Sequence, residues 1–118
     1  MKIRNLIISA LLVVSFSAAP AAAESNWING GEYRITCYCE YCNEPQGYQS
    51  ASGKYLEYGH VAMNDVPFGT KIAIDGEIFV VTDRVGVPNT IDIFLPANSD
   101  YCTCDFLDYK DVYIHEGN

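Results

Sequence analysis

The stretch KIAIDGEIFVVT, residues 71–82, decides the fold class. Two β-branched runs flank the dipeptide Asp75-Gly76, and this arrangement is the strongest short-range signal of a β-hairpin. Further short segments rich in β-branched or aromatic residues predict strands at 33–38, 59–63, 90–95 and 111–115. Residues 96–107 read as an irregular or short helical crossover. No window has a sustained 3.6-residue period, so the sequence predicts an all-β domain, either a small closed barrel or a sandwich.

Residues 1–23 have the three parts of a secretory signal peptide. A basic start is followed by an apolar run at 6–16 and by the small-residue site Ala21-Ala22-Ala23. The alternative is an uncleaved anchor, but the apolar run is too short to span a bilayer. We therefore expect cleavage after Ala23, a secreted protein that is extracellular or wall-associated, and no stable membrane insertion afterwards.

The charge of the chain restricts its partners. The formal net charge is −8 at pH 7, and loss of the basic residues Lys2 and Arg4 with the signal peptide changes it from −8 to −10. So acidic a chain does not hold nucleic acid through phosphate contacts, and anionic lipid or wall polymers repel it. A neutral sugar or a cation fits better. The mature chain has the length of one domain, which we place at 33–115 after a short leader at 24–32 and expect to be monomeric.

The cysteines form two clusters, one near each end of the predicted domain: Cys37, Cys39, Cys42, Cys102 and Cys104. In a secreted chain disulfides are the default, and bonds between the clusters would staple the domain, contributing roughly 4 kcal/mol in the chain-entropy model. Five is odd, so one thiol is free, buried or paired with another chain. The alternative is zinc, since C-x-C and C-x-x-C spacings chelate it. The oxidising environment outside the cell favours disulfides over zinc, and the sequence leaves their pairing open. We expect neither a metal nor a cofactor.

Two aspartates are candidates for acid–base chemistry. Asp83 ends an apolar strand run and is equally able to cap a turn or pair with Arg84. Asp92 lies inside the run 90–94, where strand propensity disfavours aspartate and where burial costs stability unless the acid is bonded or opens on a cleft. Partial burial of one carboxyl group would raise its pKa, and the charge of a neighbouring carboxylate would push the two pKa values apart. In this way a pair of acids becomes one proton donor and one anion. Asn64 and Asp65 are candidates to complete the cleft, or are ordinary turn residues.

The sequence carries little sign of other kinds of active or binding site. The sequence contains no Ser-His-Asp spacing, zinc-protease motif, phosphate loop or EF-hand. Nine tyrosines are present; core packing and strand propensity account for most of them, and stacking on sugar rings is the alternative.

The motifs resemble, in their order, the 3D domain family, named for three aspartates. They are ITCYC (35–39), SASG (50–53), VAMN (61–64), VPFGT (66–70), VVTDR (80–84), IDIF (91–94) and DVYI (111–114). The resemblance covers about residues 33–115. That family is related to the catalytic core of membrane-bound lytic transglycosylase A and to other muralytic proteins. The PFGT turn and the Asp-Arg pair are also similar to rare lipoprotein A and expansins, which share the barrel.

The resemblance implies a six-stranded double-psi β-barrel that cleaves the glycan strand of peptidoglycan without water. One aspartate protonates the glycosidic oxygen, and the muramyl C6 hydroxyl closes on C1 to leave a 1,6-anhydro sugar. Asp92 matches the family's acid/base, and Asp83 matches the middle aspartate, which helps set charge and orientation. The substrate-binding candidates are Asn64, Asp65, Ser52, Lys54, Thr70 and Arg84.

The chain departs from the family pattern in two places. Asn64 stands where the family has its first aspartate, with Asp65 adjacent, and the loop 84–90 is shorter and lacks the family's lysine. Both departures favour an alternative: an inert barrel that binds wall glycan or a partner protein.

Overall fold

A computed structural model describes residues 26–97 and 106–117. Within these ranges the chain forms six strands: β1 (Trp27–Tyr38), β2 (His60–Ala62), β3 (Lys71–Ile74), β4 (Glu77–Asp83), β5 (Thr90–Phe94) and β6 (Phe106–His115). They close into a barrel in the order β1-β5-β2-β4-β3-β6. The predicted all-β class and the six-stranded barrel are therefore confirmed. The described ranges hold no helix long and apolar enough to cross a membrane.

Two of the six strand pairs are parallel. β1 runs parallel to β5, and β2 runs parallel to β4. The other four neighbouring pairs are antiparallel. Closure of the barrel pairs every strand on both sides, which removes the exposed edges on which open sheets aggregate. The short strand β2 lies between β4 and β5, and this position matters for the site.

The predicted hairpin is the β3–β4 connection. Ile74 pairs with Glu77 across it, and the two turn residues between them, Asp75 and Gly76, both have positive φ (51° and 81°). Positive φ at both central residues is the requirement of a type I′ turn, whose twist matches that of the flanking strands. Asp-Gly meets this requirement at low cost, so the turn fixes the register of the hairpin.

The first strand begins earlier than predicted. β1 starts at Trp27, within the residues expected to form a leader, and pairs with a β6 that starts at Phe106 rather than at residue 111. The Gly30-Gly31 pair that read as a leader lies where the register shifts between Asn29 and Glu32, and Gly31 has φ 100°. Glycine within a strand is typical of such a bulge. Of the predicted crossover, residues 98–105 lie outside the described residues.

Trp27 anchors this extension. Its side chain is buried, 7 % exposed, and its ring lies edge-on to the His115 ring at a centroid distance of 4.9 Å. The register pairs the same two residues across β1 and β6. Aromatic burial at the strand end therefore ties the beginning of the domain to its last strand.

The buried apolar side chains form two clusters. The larger cluster fills the barrel and includes Ile91 and Ile93, with Leu95 packed against it. The smaller cluster consists of Tyr38, Leu56, Ala62 and Phe94. The predicted alternation of β5 is thus confirmed, since Ile91 and Ile93 face the interior and Phe94 faces the second cluster.

Replacing Ile72 by alanine is expected to lower the free energy of unfolding by about 2–5 kcal/mol, because this side chain is fully buried in the larger cluster. Ile78→Ala is the matched control: it removes the same atoms from a side chain that is 47 % exposed and should cost under about 1 kcal/mol. Urea unfolding followed by circular dichroism measures both. Equal losses would contradict the placement of Ile72 in the core.

Candidate functional site

Strand β2 brings the two candidate aspartates together. Ala62 pairs with Asp83 of β4 on one side and with Asp92 of β5 on the other. Neighbouring strands lie about 4.8 Å apart, so the Cα atoms of the two aspartates are about 10 Å apart. Ala62 is buried but small, and it leaves room between the two carboxylates. The sequence placed both acids on strands, and the barrel makes them neighbours.

A bulge turns Asp83 toward this side of the sheet. The register runs from Val61–Val81 directly to Ala62–Asp83, so Thr82 is an extra residue on β4. Side chains alternate along a strand, and regular alternation would put Asp83 in the barrel interior with Phe79 and Val81. The bulge re-aims the side chain. Asp83 therefore faces the cleft instead of the core.

The cleft has a volume of about 360 Å³, within the range of ligand sites. Both aspartates line it, and Ala62 lies among its lining residues. Its remaining walls come from the end of β1, the cysteine-bearing loop after it and the loop after Asp83: Cys37, Tyr38, Cys42, Asn43, Arg84, Val85 and Gly86.

Asp83 is buried, 8 % exposed, and its carboxylate accepts three hydrogen bonds. Oδ2 accepts from the Tyr38 hydroxyl at 2.9 Å. Oδ1 accepts from the backbone N–H groups of Ala51 and Arg84, each at 2.9 Å. These donors compensate for the burial of the charge and hold the carboxylate in one orientation. Asp83 is therefore a fixed group that joins three segments of the chain.

Asp92 is less buried than Asp83 and also lines the cleft. Its Oδ1 accepts a hydrogen bond from the Thr36 hydroxyl at 2.8 Å, across the β1–β5 pair in which the two residues are in register. The contact orients the carboxyl group from the strand beside it. Asp92 is thus the carboxyl group that a ligand in the cleft would meet.

Tyr38 is a site residue that the sequence reasoning missed. Its hydroxyl donates to Asp83, and the pKa of its phenol is raised chiefly by burial, then by the charge of Asp83 and the hydrogen bond to it, and further by the charge of Asp92. The phenol stays protonated and donates its hydrogen bond to Asp83. One signal was present: Thr36 and Tyr38 are two residues apart on β1, which puts both hydroxyls on one face.

Asn64 is engaged by the loop that follows Asp83. Its Nδ2 donates to the carbonyl oxygen of Val85 at 2.7 Å, and its Oδ1 accepts from the Val85 N–H at 3.2 Å. Both ends of the amide therefore hold a wall of the cleft in place. Asp65 is exposed in a turn with φ 71°, and it is not among the residues that line the cleft.

Arg84 lines the cleft but turns its charge away from Asp83. Its Nη1 donates to the carbonyl oxygen of Met63 at 2.8 Å, and the guanidinium carbon lies 3.9 Å from the centroid of the Phe68 ring. This cation–π contact orients the side chain along the surface. The expected alternative of an Asp83–Arg84 pair exists only through the backbone N–H of Arg84.

The other three candidates lie on supporting turns. The Ser52 N–H donates to the carbonyl oxygen of Thr82 at 3.1 Å, which fixes the turn that presents the Ala51 N–H to Asp83. Thr70 is buried, and its hydroxyl donates to the carbonyl oxygen of Pro67 at 2.7 Å within the turn. Lys54 is exposed. None of the three is among the residues that line the cleft.

Comparison of the chain with protein-family models, with curated proteins and with solved structures finds no match in any of the three.

The raised pKa of Tyr38 predicts a loss of stability at alkaline pH. In the unfolded chain tyrosine ionises near pH 10, whereas the folded phenol keeps its proton. The stabilisation by Tyr38 is therefore complete below about pH 10 and is lost as pH rises above it, by up to about 1.4 kcal/mol per pH unit. Urea unfolding of wild type and Tyr38→Phe between pH 8 and 11.5 measures this. The variant should show the shallower decline, and equal slopes would contradict the prediction.

Proposed function

We propose that this protein is a secreted, cell-wall-active enzyme that cleaves the glycan strands of peptidoglycan by the lytic transglycosylase mechanism, with Asp92 as its general acid/base. The observation that carries the proposal is a pair of carboxylates with unequal surroundings on one cleft. Asp83 is buried and bound by three donors, while Asp92 is more exposed and lines the cleft. Such a difference in environment separates an anion from a proton donor.

The proposed reaction uses Asp92 twice. Protonated Asp92 donates its proton to the glycosidic oxygen as the bond from C1 to that oxygen breaks, and the resulting carboxylate then takes the proton of the C6 hydroxyl as O6 bonds to C1. The proton balance closes, Asp92 is restored, and no water is consumed. Proton transfer of this kind contributes roughly 10²–10⁴-fold to the rate.

Asp83 and Tyr38 supply the surroundings for this step. The charge of Asp83 lies on the wall of the cleft, where a fixed anion stabilises the positive charge that develops at C1. Tyr38 holds that carboxylate through its hydroxyl at 2.9 Å. Because three donors already occupy Asp83, a one-acid reaction suits the site better than hydrolysis by two carboxylates that both meet the substrate.

The finer fold assignment belongs to the same proposal. Two parallel pairs within a closed six-stranded barrel are compatible with the double-psi topology of 3D domains.

The disulfide staple is also part of the proposal. Two of the cysteines that it would use, Cys37 and Cys39, are buried at the end of β1. The sulfurs of Cys39 and Cys42 are 3.9 Å apart, beyond the roughly 2.05 Å of a bond between them. Cys102 and Cys104 lie outside the described residues. A staple would fix the loop that walls the cleft.

The Asp92→Asn variant should lose about 10²–10⁴-fold of activity on purified peptidoglycan, because the amide is not acidic enough to transfer a proton to the glycosidic oxygen. Mature protein 24–118 is incubated with peptidoglycan, and the released muropeptides are read by mass spectrometry for 1,6-anhydro ends. Asp111→Asn is the matched control, since it removes the same charge from an exposed position on β6 and should keep full activity.

Two results would count against this role. A loss of less than tenfold in folded Asp92→Asn would remove Asp92 as the acid. Products with ordinary reducing ends would show that the enzyme is a hydrolase and not a lytic transglycosylase.

One observation favours a second candidate, an inert barrel that binds wall glycan. Asn64 stands at the position of the family's first aspartate, and both ends of its amide are used by Val85. That side of the cleft therefore has no third carboxylate at this position. Intact glycan strands that co-sediment with folded wild-type protein would select this candidate over the enzyme.

A further inference from the structure

A continuous row of aromatic rings leads from the aspartate cleft to the surface. Tyr38, bonded to Asp83, meets Phe94 edge-on at a centroid distance of 5.4 Å. Phe94 meets Tyr48 edge-on at 5.9 Å. Tyr48 then stacks on Tyr55 at 4.8 Å with the ring planes 8° apart. Tyr55, the last ring of the row, is therefore joined to Tyr38 in the aspartate cleft by a continuous series of ring contacts.

Tyr55 is both exposed and held in place. It is 69 % exposed, the largest value among the exposed large hydrophobic residues of the described chain. One face of its ring is covered by Tyr48, so the exposure belongs to the other face and the edges. An antiparallel bridge between Gln49 and Tyr55 and a hydrogen bond of 2.8 Å from the Leu56 N–H to the Tyr48 carbonyl oxygen fix the backbone. Tyr55 is thus a preorganised flat platform.

A second cleft lies beside this platform and shares Tyr48 with it. Its volume is about 430 Å³, and it is lined by Glu40, Tyr41, Glu44, Pro45, Gly47 and Tyr48. Its lining combines two carboxylates with two tyrosine rings and a proline ring. Carboxylates accept hydrogen bonds from hydroxyl groups, while ring faces cover the C–H groups of a pyranose. The combination matches a neutral sugar with an apolar face and a polar rim.

One loop forms a wall of both clefts. Cys42 and Asn43 line the aspartate cleft, and their neighbours line the second one. The loop is internally bonded: the Gly47 N–H donates to the Asn43 carbonyl oxygen at 2.6 Å, and Asn43 Nδ2 donates to the Gly47 carbonyl oxygen at 2.8 Å. A chain of sugar units that enters the aspartate cleft can therefore continue across this fixed wall toward Tyr48 and Tyr55.

We propose that Tyr55, supported by Tyr48, is a sugar-stacking subsite that holds one pyranose ring of a glycan strand whose neighbouring units occupy the Asp92 cleft. The identity of the strand as wall glycan rests on the proposed function. Tyrosine suits this role because it supplies a large rigid surface at low conformational cost. The acidic net charge, −8 for the full sequence and −10 after the expected loss of Lys2 and Arg4, opposes anionic polymers as the occupant.

The test measures binding without cleavage. In the Asp92→Asn background, co-sedimentation with purified peptidoglycan, stripped of anionic polymers, is titrated for the parent, Tyr55→Ala, Tyr55→Phe and Tyr109→Ala. Tyr109 is a similarly exposed tyrosine (55 %) on β6 and serves as the matched control. Tyr55→Ala should weaken binding roughly fivefold or more, whereas Tyr55→Phe, which keeps the ring, and Tyr109→Ala should bind like the parent. A soluble N-acetylglucosamine tetramer should compete with the parent.

The outcomes separate this subsite from the proposed reaction. Binding that depends on Tyr55 in a protein whose wild type releases no anhydro product upholds the subsite and overturns the cleavage. Anhydro products together with binding that is equal in the parent and Tyr55→Ala uphold the cleavage and overturn the subsite. Failure of the folded parent to bind peptidoglycan at all also overturns the subsite.

Discussion

The site depends on the burial of one negative charge. A carboxylate that leaves water costs several kcal/mol unless it is paired or hydrogen-bonded, and Asp83 meets this requirement with a phenol and two backbone N–H groups. The donors come from β1, from the turn at 50–53 and from the loop after β4. Satisfying one charge therefore fixes three segments relative to one another, and these segments surround the cleft.

The bulge in β4 makes that arrangement possible. Thr82 is the extra residue, and its buried hydroxyl has no hydrogen-bond partner within residues 26–97 and 106–117, which is a cost that a regular strand would avoid. Because of the bulge, the Asp83 side chain lies on the same side of the sheet as Ala62 and Asp92 and not in the barrel interior. Because β2 is only three residues long and lies between the two acids, the spacing of the carboxylates is set by strand geometry and not by a flexible loop.

Local patterns predicted much of this from the sequence. Asp-Gly between β-branched runs fixed the hairpin, and the alternation of Ile91, Asp92 and Ile93 placed Asp92 opposite the core. The sequence could not show the bulge, because a one-residue register shift leaves no local signal when the strand reads as apolar throughout. It could not show the direction of Arg84 either, since the choice between Asp83 and the Phe68 ring depends on a turn fourteen or more residues earlier in the chain. Tyr38 was hidden among many tyrosines because its role comes from its partner, not from its neighbours.

The two acids differ in burial, and each has a hydroxyl donor beside it. Asp83 has donors on both oxygens from a rigid frame, so a change in its protonation would disrupt the frame. Asp92 accepts a hydrogen bond from the hydroxyl of Thr36, and a hydroxyl can follow a change in the charge of its acceptor by rotating. A group that must give up and regain a proton in each cycle needs this tolerance. The proposed acid/base is therefore the more exposed carboxyl group, beside a hydroxyl that can rotate. The anion that supports it is the buried one, whose oxygens are bonded by Tyr38 and by two backbone N–H groups.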